Sequence, residues 1–489
     1  MSPSATAPAD AKQQQAPAPP RNGLDRFFRI SERGSSISRE VRGGLATFFA
    51  MAYIIVLNPI ILGSGEDKFH HHLDNAQLVT ATALMAGLTT LLMGVIGNVP
   101  IALAAGLGIN AVVSLQLAPK MSWPDAMGMV VLAGLVLMLL VASGLRQRVM
   151  DAIPGGLRRA IAIGIGLFIA LIGLVDSGFV TRNPDKANTT VPMGLGIEGK
   201  LQGWPVLIFV AGLALTFVLV VRKTRGAILI GMVTMTVVAV VVNAVADIPG
   251  GSWGLTVPEL PDKVVATPDF GLIGQVSLFG GFHEVGILTG CLFVFTVLLS
   301  GFFDAMGTII GVGEEAGLTD KQGQLPGMGR ILMVDGVAVA GGGFGSASAN
   351  TCFVESTAGV GEGARTGFAN VVTGGLFLLA LVFTPLAKVV PSQAATPALV
   401  VVGFLIMAAN VKEIDWSDFT IAVPAFLAMI SMPFTYSITN GIGLGVLSYL
   451  LLRFATRRMR EVPWLLSAVG LCFLVYFLLH PIQQALGSG

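Results

Sequence analysis

Apolar stretches long enough to cross a bilayer recur along most of the chain, separated by short polar segments. A membrane-spanning helix needs about 20 consecutive, mostly apolar residues. The pattern predicts fourteen spans, at 41–62, 77–97, 101–117, 126–145, 158–179, 204–221, 226–247, 286–310, 328–343, 353–363, 366–387, 396–412, 418–434 and 437–455. A further stretch at 463–480 breaks the even count, so either it lies along the membrane interface or another span is misassigned. The pattern indicates an all-α, polytopic membrane protein.

The composition agrees with this assignment. Of the 489 residues, 54% are hydrophobic and only 12% are charged, whereas soluble domains carry about 25% charged residues. The net charge of +1, without a basic cluster interleaved with aromatic residues, argues against a nucleic-acid partner and leaves the lipid bilayer as the expected surroundings. The three cysteines lack metal-ligand spacing, and we expect neither a metal nor a cofactor.

Basic residues predict the orientation. Six arginines precede the first span or lie at its very start, namely Arg21, Arg26, Arg29, Arg33, Arg39 and Arg42. Because Lys and Arg are enriched in cytoplasmic segments, we expect a cytoplasmic N-terminus in the cell membrane. The basic groups at 146–159, 222–225 and 453–460 then fall on the same side. Residues 1–38 are predicted to be a disordered cytoplasmic tail, and the loop 248–285 is expected outside.

A weak internal repeat relates the two halves of the chain at an offset of 237 residues. It aligns Pro154 with Pro391, just before the fifth span of each half, and Gly166 with Gly403, within that span. Seven spans per half is an odd number, so the second half must be inserted upside down. Inverted repeats of this kind place the substrate near the middle of the bilayer, between discontinuous helices.

The third and tenth spans are short and interrupted, at matching places in the two halves. They read VPIALAAGLGINAVV and GGGFGSASANTCFVES, where small residues able to run extended precede a helix start. Irregular backbone at membrane depth is tolerated only where it is buried in protein or lines a cavity. These two segments are therefore the expected location of a binding site.

Two spans carry a carboxylate inside a motif rich in Gly, Ser or Thr: Asp304 in the eighth and Glu355 in the tenth. A charge in hydrocarbon is costly, so such acids indicate a substrate or ion site. Glu355 could accept two N–H bonds from a heteroaromatic ring edge and also take up a proton. The alternative for Glu355 is a structural pair with Arg365, and for Asp304 a structural hydrogen bond to neighbouring hydroxyls or amides.

Asn110, where the third span restarts, offers one acceptor and two donor hydrogens, and either binds a polar ring edge or caps the half-helix. Phe302, Phe303 and Phe353 are candidates for flanking a ring, although an isolated Phe in a span more often faces lipid or core. Thr351, two residues before Phe353, is a further candidate for binding the substrate. The three adjacent histidines His70, His71 and His72 are interpreted as part of a polar loop rather than as a metal site.

Several motifs together resemble the AzgA-like purine permeases, a branch of the nucleobase–cation symporter family. They are EVRGGLATFFAMAYIIVLNPIIL, ALAAGLGINA, RRAIAIGIGLFIALIGL, FFDAMGTIIGVGEEAGL and NTCFVESTAGVGEGARTGFANVVTG, which together span residues 40 to about 455. The resemblance implies a seven-plus-seven inverted repeat with a core domain at 39–145 and 286–387 and a gate domain at 146–247 and 388–456. Residues 457–489 would form an extra C-terminal segment.

The resemblance further implies proton-coupled import of adenine, guanine or hypoxanthine, with H⁺ as the coupling ion, and a homodimer through the gate domains. Its substrate residues correspond here to Gly108, Asn110, Asp304 and Glu355, with Asp304 and Glu355 also expected to couple protons. One position departs from the family pattern: Gly301 stands where the eighth span usually has a first aspartate.

Two other classes of function are weaker candidates. An anion transporter of the same fold would have to bind its substrate beside two buried acids, which would repel it. An intramembrane enzyme would need a nucleophile–base pair or a metal set, and the spans contain no H-E-x-x-H and no G-x-S-x-G sequence. A permease for uracil or xanthine remains an alternative within the family.

Overall fold

A computed structural model of the chain describes residues 22–144, 153–182, 193–197, 199–246, 248–253, 256–261, 263–319 and 325–485. In its first half the helices are α1 Gly23–Phe28, α2 Ile37–Met51, α3 Ile54–Gly63, α4 Asn75–Leu92, α5 Leu107–Val112, α6 Trp123–Ala142, α7 Gly155–Asp176, α8 Trp204–Val221 and α9 Ala227–Ala246. In its second half they are α10 Gly280–Val285, α11 Ile287–Glu315, α12 Met328–Phe344, α13 Ser356–Gly361, α14 Gly367–Ala380, α15 Thr384–Ala387, α16 Ser392–Ala395, α17 Pro397–Asn410, α18 Phe419–Phe434, α19 Ile438–Ala455 and α20 Trp464–Ala485.

Two small antiparallel sheets interrupt this helical fold, so the expectation of an all-α chain needs correction. One pairs β1 (Leu103–Ala105) with β4 (Asn350–Cys352), and the other pairs β2 (Val180–Arg182) with β3 (Met193–Leu195). The first sheet lies in the two interrupted spans. The second follows α7, and strands of only three residues leave little periodicity for a sequence pattern to reveal.

Nine helical segments in the described part of the chain are long and apolar enough to cross a membrane, and three shorter apolar helices accompany them. They include the stretches Ile37–Gly63, Asn75–Gly97 and Ile438–Ala455. The structure is thus that of a helical, polytopic membrane protein, as the hydrophobic pattern predicts. These helices qualify by length and composition alone, so the count of fourteen spans remains a prediction.

The helices pack into two groups. Helices α2–α6 and α11–α14 form one group, which we call the first bundle. In it, α12 packs on α6, and α14 packs on α2 and α4. Helices α7–α9 and α16–α19 form the other group, which we call the second bundle. In it, α17 and α18 pack on α7, and α9 packs on α8. Each bundle combines helices from both halves of the sequence.

The two glycines that the repeat aligns meet in the second bundle. A Cβ atom added to Gly166 on α7 would lie 2.8 Å from the carbonyl oxygen of Gly403 on α17 and 3.1 Å from Cβ of Ile406. Small residues allow helix backbones to approach this closely in membranes. The equivalent helices of the two halves therefore cross at equivalent glycines.

We expect Gly166→Ala to destabilise the protein, because the new methyl group would press on the backbone of α17. Overpacking of this kind costs about 1–3 kcal/mol. Gly375→Ala is the matched control, since no atom lies within 4 Å of a Cβ atom there. Thermal unfolding in detergent should show a lower midpoint for Gly166→Ala only. Equal midpoints for the two variants would mean that the crossing tolerates the methyl group.

The segment before the first span is folded where the sequence predicts disorder up to residue 38. Helix α1 buries Phe28, whose ring lies 5.5 Å from that of Phe368, and the Asn98 amide donates to the Phe28 carbonyl. Arg33 donates to the carbonyls of Asn98 and Arg365 at 2.6 and 3.0 Å. These partners are distant in sequence, so the local composition does not reveal them. Residues 1–21 lie outside the described part.

The extra apolar stretch near the C-terminus forms α20, which packs against α19 in the structure. Phe473 of α20 is fully buried, and its ring lies close to Gly443 of α19. The helix thus has a defined place beside the second bundle.

Candidate functional site

Two strands meet at the centre of the fold, each followed by a short helix. In the β1–β4 pair, Ala104 lies opposite Thr351. Two further bonds extend the pairing: the Gly106 amide donates to the Ala349 carbonyl, and the Phe353 amide donates to the Ala102 carbonyl, both at 2.9 Å. The two extended segments therefore supply hydrogen-bond partners for many of each other's backbone N–H and C=O groups, which a segment away from water requires. Because the pairing is antiparallel, α5 and α13 begin at opposite ends of this small sheet.

Glu355 lies between β4 and α13, and its side chain does not cap that helix. Instead, the hydroxyl of Tyr53 donates a hydrogen bond of 2.5 Å to Glu355 Oε1. Tyr53 occupies the break between α2 and α3 and is 1% exposed. A hydroxyl donating to a carboxylate is a charge-assisted bond, stronger than one between neutral groups. The acid is thus held at a fixed position in the interior.

A cavity of about 110 Å³ lies against this pair, between the two bundles. Since about 10–15 Å³ suffices for one water molecule, the cavity has room for several water-sized groups. The first bundle contributes polar groups to the cavity wall, from Tyr53, Glu355, Ser300, Thr308 and the backbone at 106–108. The second bundle contributes apolar side chains, among them Ile165, Ile169, Val402 and Ile406. A mostly apolar cavity with a few fixed polar groups is typical of a small-molecule site.

The candidate residues divide according to their position relative to this cavity. Glu355, Gly108 and Phe353 lie on its wall. Gly108 has a packing reason to be glycine, because a Cβ atom there would lie 2.6 Å from Ile165 of the second bundle. Asn110, Phe302 and Thr351 are buried but are not part of the wall. The side chains of Phe303 and Asp304, on α11, lie outside the described residues.

The structural alternative for Glu355, an ion pair with Arg365, is wrong. The Arg365 guanidinium donates to the carbonyls of Val360 and Ala364 at 2.8 and 2.6 Å. The acid near Arg365 is Glu40 of α2, fully buried, which accepts from the backbone amides of Arg365 and Thr366. Glu40 therefore fixes the loop after α13, and Glu355 is left facing the cavity.

Asn110 is 0% exposed, and neither its Oδ1 nor its Nδ2 has a hydrogen-bond partner among the described residues. It does not cap α5, because Gly106 is the residue at the N-cap position and Asn110 lies within the helix. The capping alternative is therefore wrong. A buried amide without partners costs about 1–3 kcal/mol for each group left unpaired, which a ligand group could offset.

Gly301 lies close to Ile109 and Thr351. A Cβ atom at this position would be 3.1 Å from Ile109 Cδ1 and 3.6 Å from Thr351 Cγ2. The space that a first aspartate would enter is thus bounded by an apolar side chain of α5. The departure from the family pattern is accompanied by local packing that suits glycine.

Sequence reasoning did not identify Tyr53 or Asp335. Tyr53 lies within the motif FFAMAYIIVLNP. A buried tyrosine hydroxyl usually has a hydrogen-bond partner, so a tyrosine inside an apolar span is the feature of the sequence that indicates such a contact. Asp335 of α12 is fully buried and accepts a weak hydrogen bond from Cys352 Sγ of β4 at 3.6 Å. Asp335 is therefore a further buried acid inside the spans, beside the strand that leads to Glu355.

The three histidines lie in the loop between α3 and α4, as expected. His70 and His72 both approach the carboxylate of Glu66, at 3.0 and 3.2 Å, and His71 lies 3.4 Å from Asp67. Hydrogen bonding from His70 holds the pKa of Glu66 below its ordinary value. These pairs connect neighbouring residues of one exposed loop.

Comparison with known proteins identifies the class to which this fold and site belong. Residues 38–444 match the Permease family of xanthine and uracil permeases (Xan_ur_permease). The chain belongs to this family, and it is therefore a transporter rather than an enzyme, as the sequence predicts.

Individual relatives are similar over nearly their whole length. The chain is 37% identical over 457 residues to the guanine/hypoxanthine permease PbuG of Bacillus subtilis, covering 92% of this chain and 99% of that protein. It is 35% identical over 459 residues to the adenine permease AdeQ of Escherichia coli, covering 93% and 96%. These relatives bear out the predicted resemblance to purine permeases.

Solved structures share the fold at low sequence identity. The transmembrane domain of the cyanobacterial bicarbonate transporter BicA aligns with a TM-score of 0.57 at 13% identity, covering 84% of this chain and 97% of that domain. SLC26A9 aligns with a TM-score of 0.60 at 16% identity, covering 86% of this chain and 66% of that protein. At such identities the similarity concerns the fold alone.

Proposed function

We propose that the protein imports purine nucleobases across the cytoplasmic membrane, coupled to protons, by alternating access between the two bundles. The observation that carries the proposal is the Tyr53–Glu355 pair on the wall of a cavity between the bundles. A carboxylate there can accept two N–H bonds from one edge of a purine. The relatives named for guanine, hypoxanthine and adenine support the same substrate class.

In this proposal the first bundle is the core domain and the second bundle is the gate domain. Glu355 holds the ring edge, and Phe353 with Ile165 and Ile169 flanks the ring. Asn110, which is buried behind the cavity wall, would supply amide groups to the ring edge once the wall opens toward it. Thr351, Gly108, Phe302, Phe303 and Asp304 complete the expected site. The orientation is that predicted from the arginines, with α1 in the cytoplasm.

The proposed coupling uses Glu355 as a proton-binding group, with Asp304 as the second candidate. A proton taken up from outside would accompany the purine and leave toward the less acidic cytoplasm. Symport requires the two binding events to favour each other, and couplings of about 1–3 kcal/mol are usual. The dimer through the gate domains stays a prediction, since the structure contains one chain.

An anion substrate is the second candidate because BicA and an anion transporter of the SLC26 family share the fold. The carboxylate on the cavity wall disfavours it, because Glu355 would repel an anion at that position. Uptake of labelled hypoxanthine by cells expressing the chain tests the proposal, with unlabelled adenine, guanine, xanthine, uracil, sulfate and bicarbonate as competitors. Competition by adenine or guanine, but not by xanthine, uracil or the anions, is expected; competition by bicarbonate or sulfate would favour the anion transporter.

We expect Gly301→Asp to weaken purine binding rather than to restore a missing ligand. The new side chain would start 3.1 Å from Ile109 Cδ1, so a carboxylate would enter a tightly packed apolar contact. Gly301→Ala, which adds only the methyl group, separates crowding from charge. Equilibrium binding of hypoxanthine to the purified variants gives the answer. Tighter binding by Gly301→Asp would mean that the usual aspartate acts here as well.

A further inference from the structure

An ion pair joins the two bundles at the end of the molecule that carries α1. The guanidinium of Arg225, in the turn between α8 and α9, contacts the carboxylate of Glu362, which follows α13. Arg225 belongs to the second bundle and Glu362 to the first. Any separation of the bundles at this end must break the pair.

Both partners are held on well-defined supports. The turn at 222–226 is closed by bonds from the amides of Arg222, Lys223 and Thr224 to carbonyls in the last turn of α8. A Cβ atom on Gly226 would lie 3.4 Å from the carbonyl oxygen of Phe49 in α2, so the turn also meets the first bundle beside the ion pair, and this contact would separate together with it.

On the other side of the pair, Glu362 is the C-cap of α13. The hydroxyl of Ser35 donates to the carbonyl of the next residue, Gly363, at 2.9 Å. Glu40 holds the same loop through the Arg365 and Thr366 amides. The loop after α13 is thus tied to the N-terminal segment and cannot follow the turn at 222–226 if the bundles move apart.

The same short helix connects the pair to the candidate substrate site. Glu355 immediately precedes α13 and Glu362 immediately follows it. Six helical residues rise about 9 Å, so the ion pair lies roughly two turns from the carboxylate on the cavity wall. A movement of α13 that accompanies ligand binding would act directly on the pair.

The opposite end of the bundle interface is joined by neutral groups. Gln116 Oε1, in the turn that continues α5, accepts from the hydroxyls of Ser437 and Thr439 at the start of α19, both at 3.1 Å. Thr439 also lies 3.1 Å from the hydroxyl of Thr296 on α11. Thr296 and Thr439 are fully buried, whereas the Arg225 side chain is 66% exposed. Among these contacts between described residues, the Arg225–Glu362 pair is the more open to water.

From these contacts we propose that Arg225 and Glu362 form a gate at the α1 end of the cavity, made and broken once in each transport cycle. The proposal rests on the alternating access described above. A solvated ion pair suits this use, because exposed pairs contribute little and are easily replaced by water. Breaking the ion pair should raise the ratio of molecules open at the α1 end to molecules closed there by at most about five-fold.

The experiment measures access to the cavity directly. A thiol is placed on the cavity wall by Ala162→Cys, in a chain carrying Cys291→Ser, Cys352→Ala and Cys472→Ser. The rate of modification by the impermeant reagent 2-sulfonatoethyl methanethiosulfonate is measured in inside-out and right-side-out vesicles. Arg225→Glu should raise the rate about three- to five-fold from the α1 side. The double variant Arg225→Glu/Glu362→Arg, which restores the opposite charges, should return it to within two-fold of the starting rate.

Arg222→Glu is the matched control, because it makes the same charge change in an equally exposed residue of the same turn. A rate for Arg225→Glu equal to that of the control, or a double variant that remains as fast as the single one, would overturn the gate. The measurement needs no transported substrate. Failure of the purine proposal would show separately, as absent hypoxanthine uptake by the native chain.

Discussion

Glu355→Gln is expected to abolish concentrative purine uptake while the protein still inserts and folds. The substitution keeps the shape of the side chain but removes the charge. A glutamine at this position could neither accept two charge-assisted N–H bonds nor bind the coupling proton. Hydrogen bonds to a charged group contribute about 1.5–3 kcal/mol, which corresponds to a roughly ten- to 150-fold loss of affinity. Without coupling, the ratio of internal to external purine should fall to unity.

Uptake of labelled hypoxanthine and equilibrium binding to the purified protein test both parts of this expectation. Glu314→Gln is the matched control, because Glu314 lies near the end of α11 and is exposed. The control should accumulate purine like the native chain. Accumulation by Glu355→Gln at the native level would remove Glu355 from the mechanism.

Tyr53→Phe is expected to lower purine affinity about ten-fold or more. The ring would still fill its buried place between α2 and α3, but the 2.5 Å bond to Glu355 Oε1 would be lost. The carboxylate would then lose the donor that fixes its position on the cavity wall, and a misplaced binding group loses much of its effect. A hydroxyl bound to a carboxylate contributes on the same scale as other charge-assisted bonds.

The control for Tyr53→Phe is Tyr449→Phe, a buried tyrosine of α19 that does not line the cavity. Both variants should show native expression and similar thermal midpoints, and only Tyr53→Phe should bind hypoxanthine weakly. The double variant Tyr53→Phe/Glu355→Gln adds a test of mechanism. If Tyr53 acts through Glu355, the double variant should bind no more weakly than Glu355→Gln alone.

The predicted spans correspond closely to the helices of the structure. The stretch 204–221 coincides with α8, and 437–455 begins one residue before α19. Apolar periodicity reports a local property, namely whether about 20 consecutive residues can be surrounded by hydrocarbon. The interrupted third and tenth spans were recognisable for a related reason, because runs of small residues weaken a helix wherever they occur.

The candidate site was only partly predictable. Glu355 stood out because a carboxylate in an apolar segment is rare, and the structure places it on the cavity wall. Its partner Tyr53 lies 302 residues away in the chain, and no spacing in the sequence connects the two. Asp335 is not distinguished by its local sequence, because its contact with Cys352 of β4 is made only by tertiary packing.

The sequence by itself determined where most of the long apolar helices lie, that the chain is a membrane protein of the permease family, and which interrupted segment holds Glu355. These conclusions follow from local composition and motif, which are written in consecutive residues. The tertiary structure decided that Tyr53 and not Arg365 binds Glu355, that the N-terminal segment docks on the loop after α13, and that Arg225 meets Glu362. Each of these contacts joins residues far apart in the chain, and only the packing of the two bundles brings them within bonding distance.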